Sequence, residues 1–203
     1  RMLVSKCEEL VRALEFFDRA LHVGGDRATP PPDVHADDAR VLGTIGARTI
    51  DLVITSPPYA ATYDYVGHHD VRLRWLGLRI DRFEKLELGA RRSYARLTHE
   101  AAVARWDDEL GRSLRAIEHS LRHKGIAVLV LADSAVRGGA LRADEAVERL
   151  APAAGLEVAA VASQSRPHFH SATQRAFADR ARHEHLIAVR PRDLHGSKSP
   201  SKS

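Results

Sequence analysis

Five consecutive residues, Thr55-Ser56-Pro57-Pro58-Tyr59, close the apolar run Asp51-Leu52-Val53-Ile54 and have the types needed to hold a planar amino group. Proline fixes φ and has no N–H, so a Pro57-Pro58 turn is stiff and offers acceptors without competing donors. The Ser56 hydroxyl and the Pro57 carbonyl can each accept a hydrogen bond from an exocyclic NH₂. Tyr59 can stack on the ring that carries the amine. An amine conjugated to a nucleobase ring is a poor nucleophile, because its lone pair is delocalised. Two acceptors on its N–H groups favour a pyramidal nitrogen, which can attack an electrophilic methyl sulfonium in line. Such chemistry needs no metal and no covalent enzyme intermediate; it rests on orientation and electrostatics.

The Ser56-Pro57-Pro58-Tyr59 tetrad resembles the catalytic Asp/Asn/Ser-Pro-Pro-Tyr/Phe motif of the S-adenosylmethionine-dependent DNA amino-methyltransferases. The serine form is typical of their cytosine-N4 branch. The resemblance implies DNA as partner, S-adenosylmethionine as cofactor, and a target base flipped out of the duplex onto Tyr59. It also implies that Asp38, in the acidic turn Val34-His35-Ala36-Asp37-Asp38-Ala39-Arg40, accepts from the cofactor's adenine amine. Asp is equally at home as a helix N-cap there. Tyr63 and Tyr65 are implied to line the base pocket, with Trp75 fitting a helix packed on a sheet. The segment from Lys124 to Ser134 is similar to the family's next strand, with Asp133 at its end implied as cofactor-binding. The similarity covers residues 33–190, and the proline motif is its specific part. One departure matters. The family's Gly-rich cofactor turn, Asp-Pro-Phe-x-Gly-x-Gly, has no counterpart near Gly24-Gly25, Gly43, Gly46 or Gly138-Gly139. The expectation is therefore the catalytic portion of a longer methyltransferase, or one member of a split pair, with an incomplete cofactor pocket.

At 203 residues the chain fits one domain with a small appendage. Hydrophobic residues make up 44% and charged residues 29%, a balance that suits a globular chain. No apolar run approaches the roughly 20 residues that span a bilayer. The start, Arg1-Met2-Leu3-Val4-Ser5-Lys6, does not read as a signal peptide. A lone cysteine, Cys7, excludes an internal disulfide and fits a cytoplasmic location. The net charge of +4 and isoelectric point near 9.5 suit a polyanionic partner.

Periodicity predicts a helix over 2–22, through Leu3, Leu10, Val11, Leu14, Phe17 and Leu21. A linker rich in Gly and Pro ends at residue 32; the catalytic region is expected over 33–190, and a disordered tail over 191–203. Asp33 to Ala36 is a strand candidate, followed by a turn into a short helix. Ile50–Thr55 reads as a buried strand, Asp64 to Leu78 as a helix, and 79–98 as charged and irregular. A long amphipathic helix is predicted over 99–122, stopped by Lys124-Gly125. Ile126–Ala132 reads as a strand buried on both faces. A loop over 133–139, a helix over 142–153 and strands at Leu156–Ala162 and His185–Val189 complete the pattern, with a polar loop over 163–183. Alternating strands and helices point to an α/β fold: a partial Rossmann-like methyltransferase fold, mostly parallel, with an antiparallel strand at its edge. Ligands of such sheets sit at the carboxyl ends of the strands, where Ser56 and Asp133 fall.

The segment Arg166-Pro167-His168-Phe169-His170, with Arg175, Arg180 and Arg182, can face nucleic acid through Arg166 and His168, or form an ordinary solvated connection. Arg79, Arg82, Arg91, Arg92 and Arg96 form a second basic segment able to track a phosphate backbone. The histidine pairs at 68/69, 168/170 and 183/185 could suggest a metal, but adjacent and i,i+2 histidines in basic loops are commoner as polar surface or phosphate contacts, so no metal is expected. Ser56, His68 and Asp64 are not expected to form a hydrolase triad, since no nucleophile-elbow glycines flank the serine. Two alternatives remain: a methyltransferase acting on an RNA amine such as guanine N2 or adenine N6, and a non-catalytic remnant that binds nucleic acid or a partner.

Overall fold

The computed structural model describes residues 2–22, 31–167 and 171–192. It divides into two units, residues 1–35 and 36–203. The first holds helix α1, Met2–His22, which matches the predicted span. Its surface carries i,i+4 ion pairs, Glu8 with Arg12 and Glu15 with Arg19.

In the second unit the elements are β1 (Ile50–Thr55), α2 (Tyr65–Trp75), α3 (Ile80–Leu86), α4 (Arg91–Tyr94), α5 (His99–Ser120), β2 (Leu121–Ala132), β3 (Ser134–Val136), β4 (Gly139–Leu141), α6 (Ala143–Leu150), β5 (Leu156–Ser165), α7 (Ser171–Ala176) and β6 (His183–Pro191). The main sheet has the order β1-β2-β6-β5. β1 runs parallel to β2, whereas β6 pairs antiparallel with both β2 and β5. Three strands therefore share one direction and β6 alone is reversed, one place in from the edge. This is the α/β sheet that the alternating pattern predicts.

Helices α5 and α6 cover one face. Leu110, Leu114 and Ile117 of α5 and Val147 of α6 join Ala127, Leu129, Leu131, Leu156, Ile187 and Val189 in one core. Burial of both faces of Ile126–Ala132 does not hold. Ile126 is exposed, as are Leu52 and Ile54 on β1 and Leu186 on β6. The register places Leu52 beside Ile126, Ile54 beside Val128 and Leu186 beside Val130, so these residues share the second face.

Other local expectations also change. Residues 31–38 contain no strand. Asp37 instead takes the Thr44 N–H and hydroxyl, and the Asp38 carbonyl accepts from Val41 and Leu42, which makes a turn rather than a helix. Helix α5 ends at Ser120, before Lys124-Gly125. Its last carbonyls do not need a glycine terminus, because Arg48 N–H donates to His119 O and Thr49 N–H to Ser120 O, both at 3.0 Å. Gly125 lies where the β1–β2 register shifts; a Cβ there would sit 3.0 Å from the Ile50 carbonyl oxygen. The expected loop after Asp133 is a hairpin, β3–β4, turned by Arg137 and Gly138 with φ of 53° and 86°. Within the charged stretch 79–98 lie two short helices, α3 and α4. The polar loop over 163–183 begins only after β5 has run to Ser165, and it carries α7. Residues 193–203 and His168 lie outside the described residues. No helix among the described residues is long and apolar enough to cross a membrane.

Candidate active site

β1 ends at Thr55, opposite Leu129 of β2, and delivers Ser56 to the carboxyl edge of the parallel pair. Ser56 is exposed; Pro57, Pro58 and Tyr59 are half-buried. No backbone hydrogen bond among the described residues reaches the Pro57 carbonyl. The corner is fastened on its inner side. Ala61 N–H donates to Gly89 O at 3.0 Å, Thr62 N–H donates to Tyr59 O at 3.2 Å, and the Thr62 hydroxyl shares a 3.2 Å hydrogen bond with buried Ser134.

Gly89 makes this seating possible. It has φ of 61°, and a Cβ there would lie 3.1 Å from Tyr59 O, 3.4 Å from Pro58 O and 3.2 Å from the Trp106 ring. Its N–H donates at 2.9 Å to Glu109, a buried carboxylate that also accepts from the Tyr94 hydroxyl at 2.9 Å. Burial and the adjoining Glu109 push the Tyr94 phenol far above its ordinary value. Gly89→Ala is expected to cost about 1–2 kcal/mol from the left-handed backbone alone. It should also tilt the motif, so that a lowered denaturation midpoint accompanies a weakened site. An unchanged midpoint measured by urea titration would contradict this seating.

The Tyr59 hydroxyl donates to Glu184 Oε1 at 2.8 Å. The same carboxylate oxygen accepts from Arg166 Nη2 at 3.0 Å. Burial, then the Glu184 carboxylate, push the Tyr59 phenol above its ordinary value, and a Ser56 hydrogen bond pulls against them. Tyr63 lies 6.4 Å from Tyr59 and 5.6 Å from Tyr65, centroid to centroid, in tilted pairs. The structure thus gathers Ser56, Pro57, Pro58, Tyr59, Tyr63, Tyr65 and Arg166 at one edge. Asp64 belongs to the local scaffold: it caps α2 through Gly67 N–H at 3.0 Å and pairs with Arg92. Arg92 also meets Glu87, which accepts from Tyr65 N–H at 2.6 Å.

Beside Pro58 opens a cleft of about 880 Å³, lined by Asp37, Asp38, Tyr65, Phe83, Leu86 and Glu87 among others. That size suits a small organic ligand. Asp38 is not a free acceptor in it. Both of its oxygens are engaged by Arg40, whose Nη2 lies 2.7 Å from Oδ2 and whose Nε and N–H each lie 2.9 Å from Oδ1. The Arg40 side chain, against a weaker burial effect, holds the Asp38 carboxyl below its ordinary value.

Asp133 departs furthest from its expected role. It is fully buried. Its oxygens accept from the N–H groups of Ala143 at 2.9 Å and His183 at 3.0 Å, and lie 3.2 Å from Arg142 and from His185 Nε2. No oxygen faces an open cavity for a cofactor; the side chain ties β2 to α6 and β6. Asp133, Asp144 and His185 come within 4.8 Å of one another. His185 meets Ser163 Oγ through Nδ1 at 2.9 Å, and its Nε2 lies 3.2 Å from Asp133. Much of the basic loop is structural too. Arg180 pairs with Glu145, and Arg182 Nε donates to Asp133 O at 2.8 Å.

Glu184 and Gly89 were not identified by sequence reasoning. An acid between two histidines at the start of β6 was the available signal for Glu184. Its target, Tyr59, lies 125 residues away.

No protein-family model matches the chain, and no curated protein matches it. Among solved structures it is similar to TTHA0409, a candidate DNA modification methylase from Thermus thermophilus, with 20% identity and a TM-score of 0.46 over 83% of this chain and 56% of that one. The complex of that protein with S-adenosyl-L-methionine gives 21% identity and the same TM-score, over 83% and 58% of the two chains. The chain thus spans a little over half the length of these structures.

Proposed function

We propose that this chain carries the catalytic residues of an S-adenosylmethionine-dependent DNA amino-methyltransferase, with cytosine N4 as the preferred acceptor and adenine N6 as the second. One observation supports it most: an exposed serine and a proline carbonyl that takes no backbone hydrogen bond among the described residues are adjacent at the carboxyl end of a parallel strand, with an anchored tyrosine next to them.

In this reading a flipped base stacks on Tyr59, and its amine donates one N–H to Ser56 Oγ and the other to the Pro57 carbonyl. The two acceptors localise the nitrogen lone pair. Pro57 and Pro58 keep the corner from relaxing and bring no donor that would compete for these oxygens. Tyr63 and Tyr65 wall the base pocket, and Arg166 offers its remaining donors to a phosphate. S-adenosylmethionine supplies the electrophilic methyl sulfonium. The cleft beside Pro58 fits it in volume, and Phe83, Leu86 and Asp37 are the residues that would hold it. Asp38 would have to release Arg40 first, and Asp133 takes no part. Forming the N–CH₃ bond would break the S–CH₃ bond, the cofactor would leave as the neutral thioether S-adenosylhomocysteine, and the nitrogen would shed one proton to solvent.

The test is transfer of a labelled methyl group from S-adenosylmethionine by the full-length gene product, with duplex DNA and tRNA offered separately. Label in DNA is expected. Label in tRNA alone, or in neither, would reject the proposal.

A further inference from the structure

We propose that Glu184 is a positioning residue for the base-stacking tyrosine, fixing the plane of Tyr59 and the reach of Arg166 through one shared carboxylate oxygen. This inference rests on the proposed role of Tyr59 and adds what holds it in place.

Glu184 is the second residue of β6, and its register partner on β2 is Ala132. Because β6 is reversed, its first residues lie at the carboxyl ends of β1 and β2, the edge where Ser56 emerges. Its side chain is three-quarters buried, at 23% exposure. Oε1 receives the Tyr59 hydroxyl at 2.8 Å and Arg166 Nη2 at 3.0 Å. A tyrosine side chain has two torsions of its own, free even where the turn that carries it is stiff. Tethering its far end to a strand removes them before a base arrives. Tyr59 is half-buried and packs in part against the core, so the tether adds to what packing alone would fix. Arg166 follows β5 directly and is 47% exposed, so the same carboxylate keeps its guanidinium at the rim with donors left over. Glu184 touches neither the amine nor the methyl donor; it acts through Tyr59 and Arg166.

The test is a double-mutant cycle on the full-length gene product, supported by a readout independent of activity. Glu184→Ala should lower kcat for DNA methylation about 10-fold while KM for S-adenosylmethionine stays within about 2-fold. Tyr59→Phe should give an equal or smaller loss, and the double variant should be no worse than Glu184→Ala alone, since Ala removes both contacts of the carboxylate and Phe only the one to Tyr59. Glu184→Gln keeps an acceptor oxygen and should restore most of the rate. Multiplying losses in the double variant, or a Gln variant as poor as the Ala variant, would overturn the inference. The contact is checked separately with protein labelled at the tyrosine ζ carbon. NMR titration should show the Tyr59 phenol moving down towards its ordinary value in Glu184→Ala. No movement would overturn the inference whatever the activity. Movement of the phenol together with full methylation by Tyr59→Ala would overturn the proposed function instead, and with it the positioning role.

Discussion

Ser56→Ala is expected to lower methyl transfer by about 10²- to 10³-fold, the usual cost of deleting one preorganised hydrogen-bonding partner of a reacting group. The variant should fold normally. Ser56 is exposed, and substitutions at such positions generally change stability by less than about 0.5 kcal/mol. The loss should fall on kcat as well as on kcat/KM, because localising the amine lone pair matters most as the nitrogen–methyl bond forms. Steady-state kinetics with saturating S-adenosylmethionine measures it. Pro57 provides the second acceptor through its backbone, which no side-chain replacement removes. Ser56 is therefore the cleaner probe of the corner. A variant with unchanged kcat would show that the hydroxyl holds no amine.

The largest effect on stability should come from Asp133→Ala. This buried carboxylate satisfies two backbone N–H groups, Arg142 and His185 together. Arg142 itself is 8% exposed and lies over Phe177, its guanidinium carbon 4.7 Å from the ring centroid. It also donates to the Ala181 and Arg180 carbonyls at 2.8 and 2.7 Å. Removing the carboxylate leaves two backbone donors without their acceptor and takes from Arg142 its buried partner, leaving it only Asp179 and two carbonyls, at a cost of about 3 kcal/mol. For a domain whose whole stability is about 5–15 kcal/mol, that is a fall of roughly 10 °C in melting temperature. Scanning calorimetry of the variant checks it, and a melting temperature within a degree or two of wild type would contradict the account.

The same residue sets a pH dependence. Burial pushes the Asp133 carboxyl up, but the N–H groups of Ala143 and His183, with His185, more than offset this and leave it below its ordinary value. A carboxyl depressed in the folded state adds stability above its unfolded value of about 3.9, and that stability is lost as pH falls through the folded value. Wild-type protein should therefore hold this contribution in full above about pH 5 and lose it progressively below about pH 4. Asp133→Ala should lack that component of the acid transition, which urea denaturation at a series of pH values would reveal.

The residues that could be read from sequence were those whose roles are local. The motif announces itself in five adjacent positions, β1 by its apolar run, α5 by its helical spacing and the heart of β2 by its composition. What escaped was set by distant partners. Helix α5 runs into β2 without a glycine terminus because Arg48 and Thr49, some seventy positions earlier, take its final carbonyls. Asp133 sits where ligands of α/β sheets are expected, and its sequence does not announce that Arg142 and His183 enclose it. Asp38 was legible in part, since Arg40 stands two residues away and can turn back onto it. Glu184 could not be connected to Tyr59 from spacing at all; only the reversed direction of β6 brings the two together.

In the proposed function Ser56 and the Pro57 carbonyl grip an exocyclic amine so that its nitrogen takes the methyl group. The most direct test is to methylate duplex DNA with labelled S-adenosylmethionine, digest it to nucleosides and locate the label. Label is expected on an exocyclic nitrogen, cytosine N4 first, and should disappear with Ser56→Ala. Label on a ring carbon, or on nitrogen at an undiminished rate in Ser56→Ala, would contradict it.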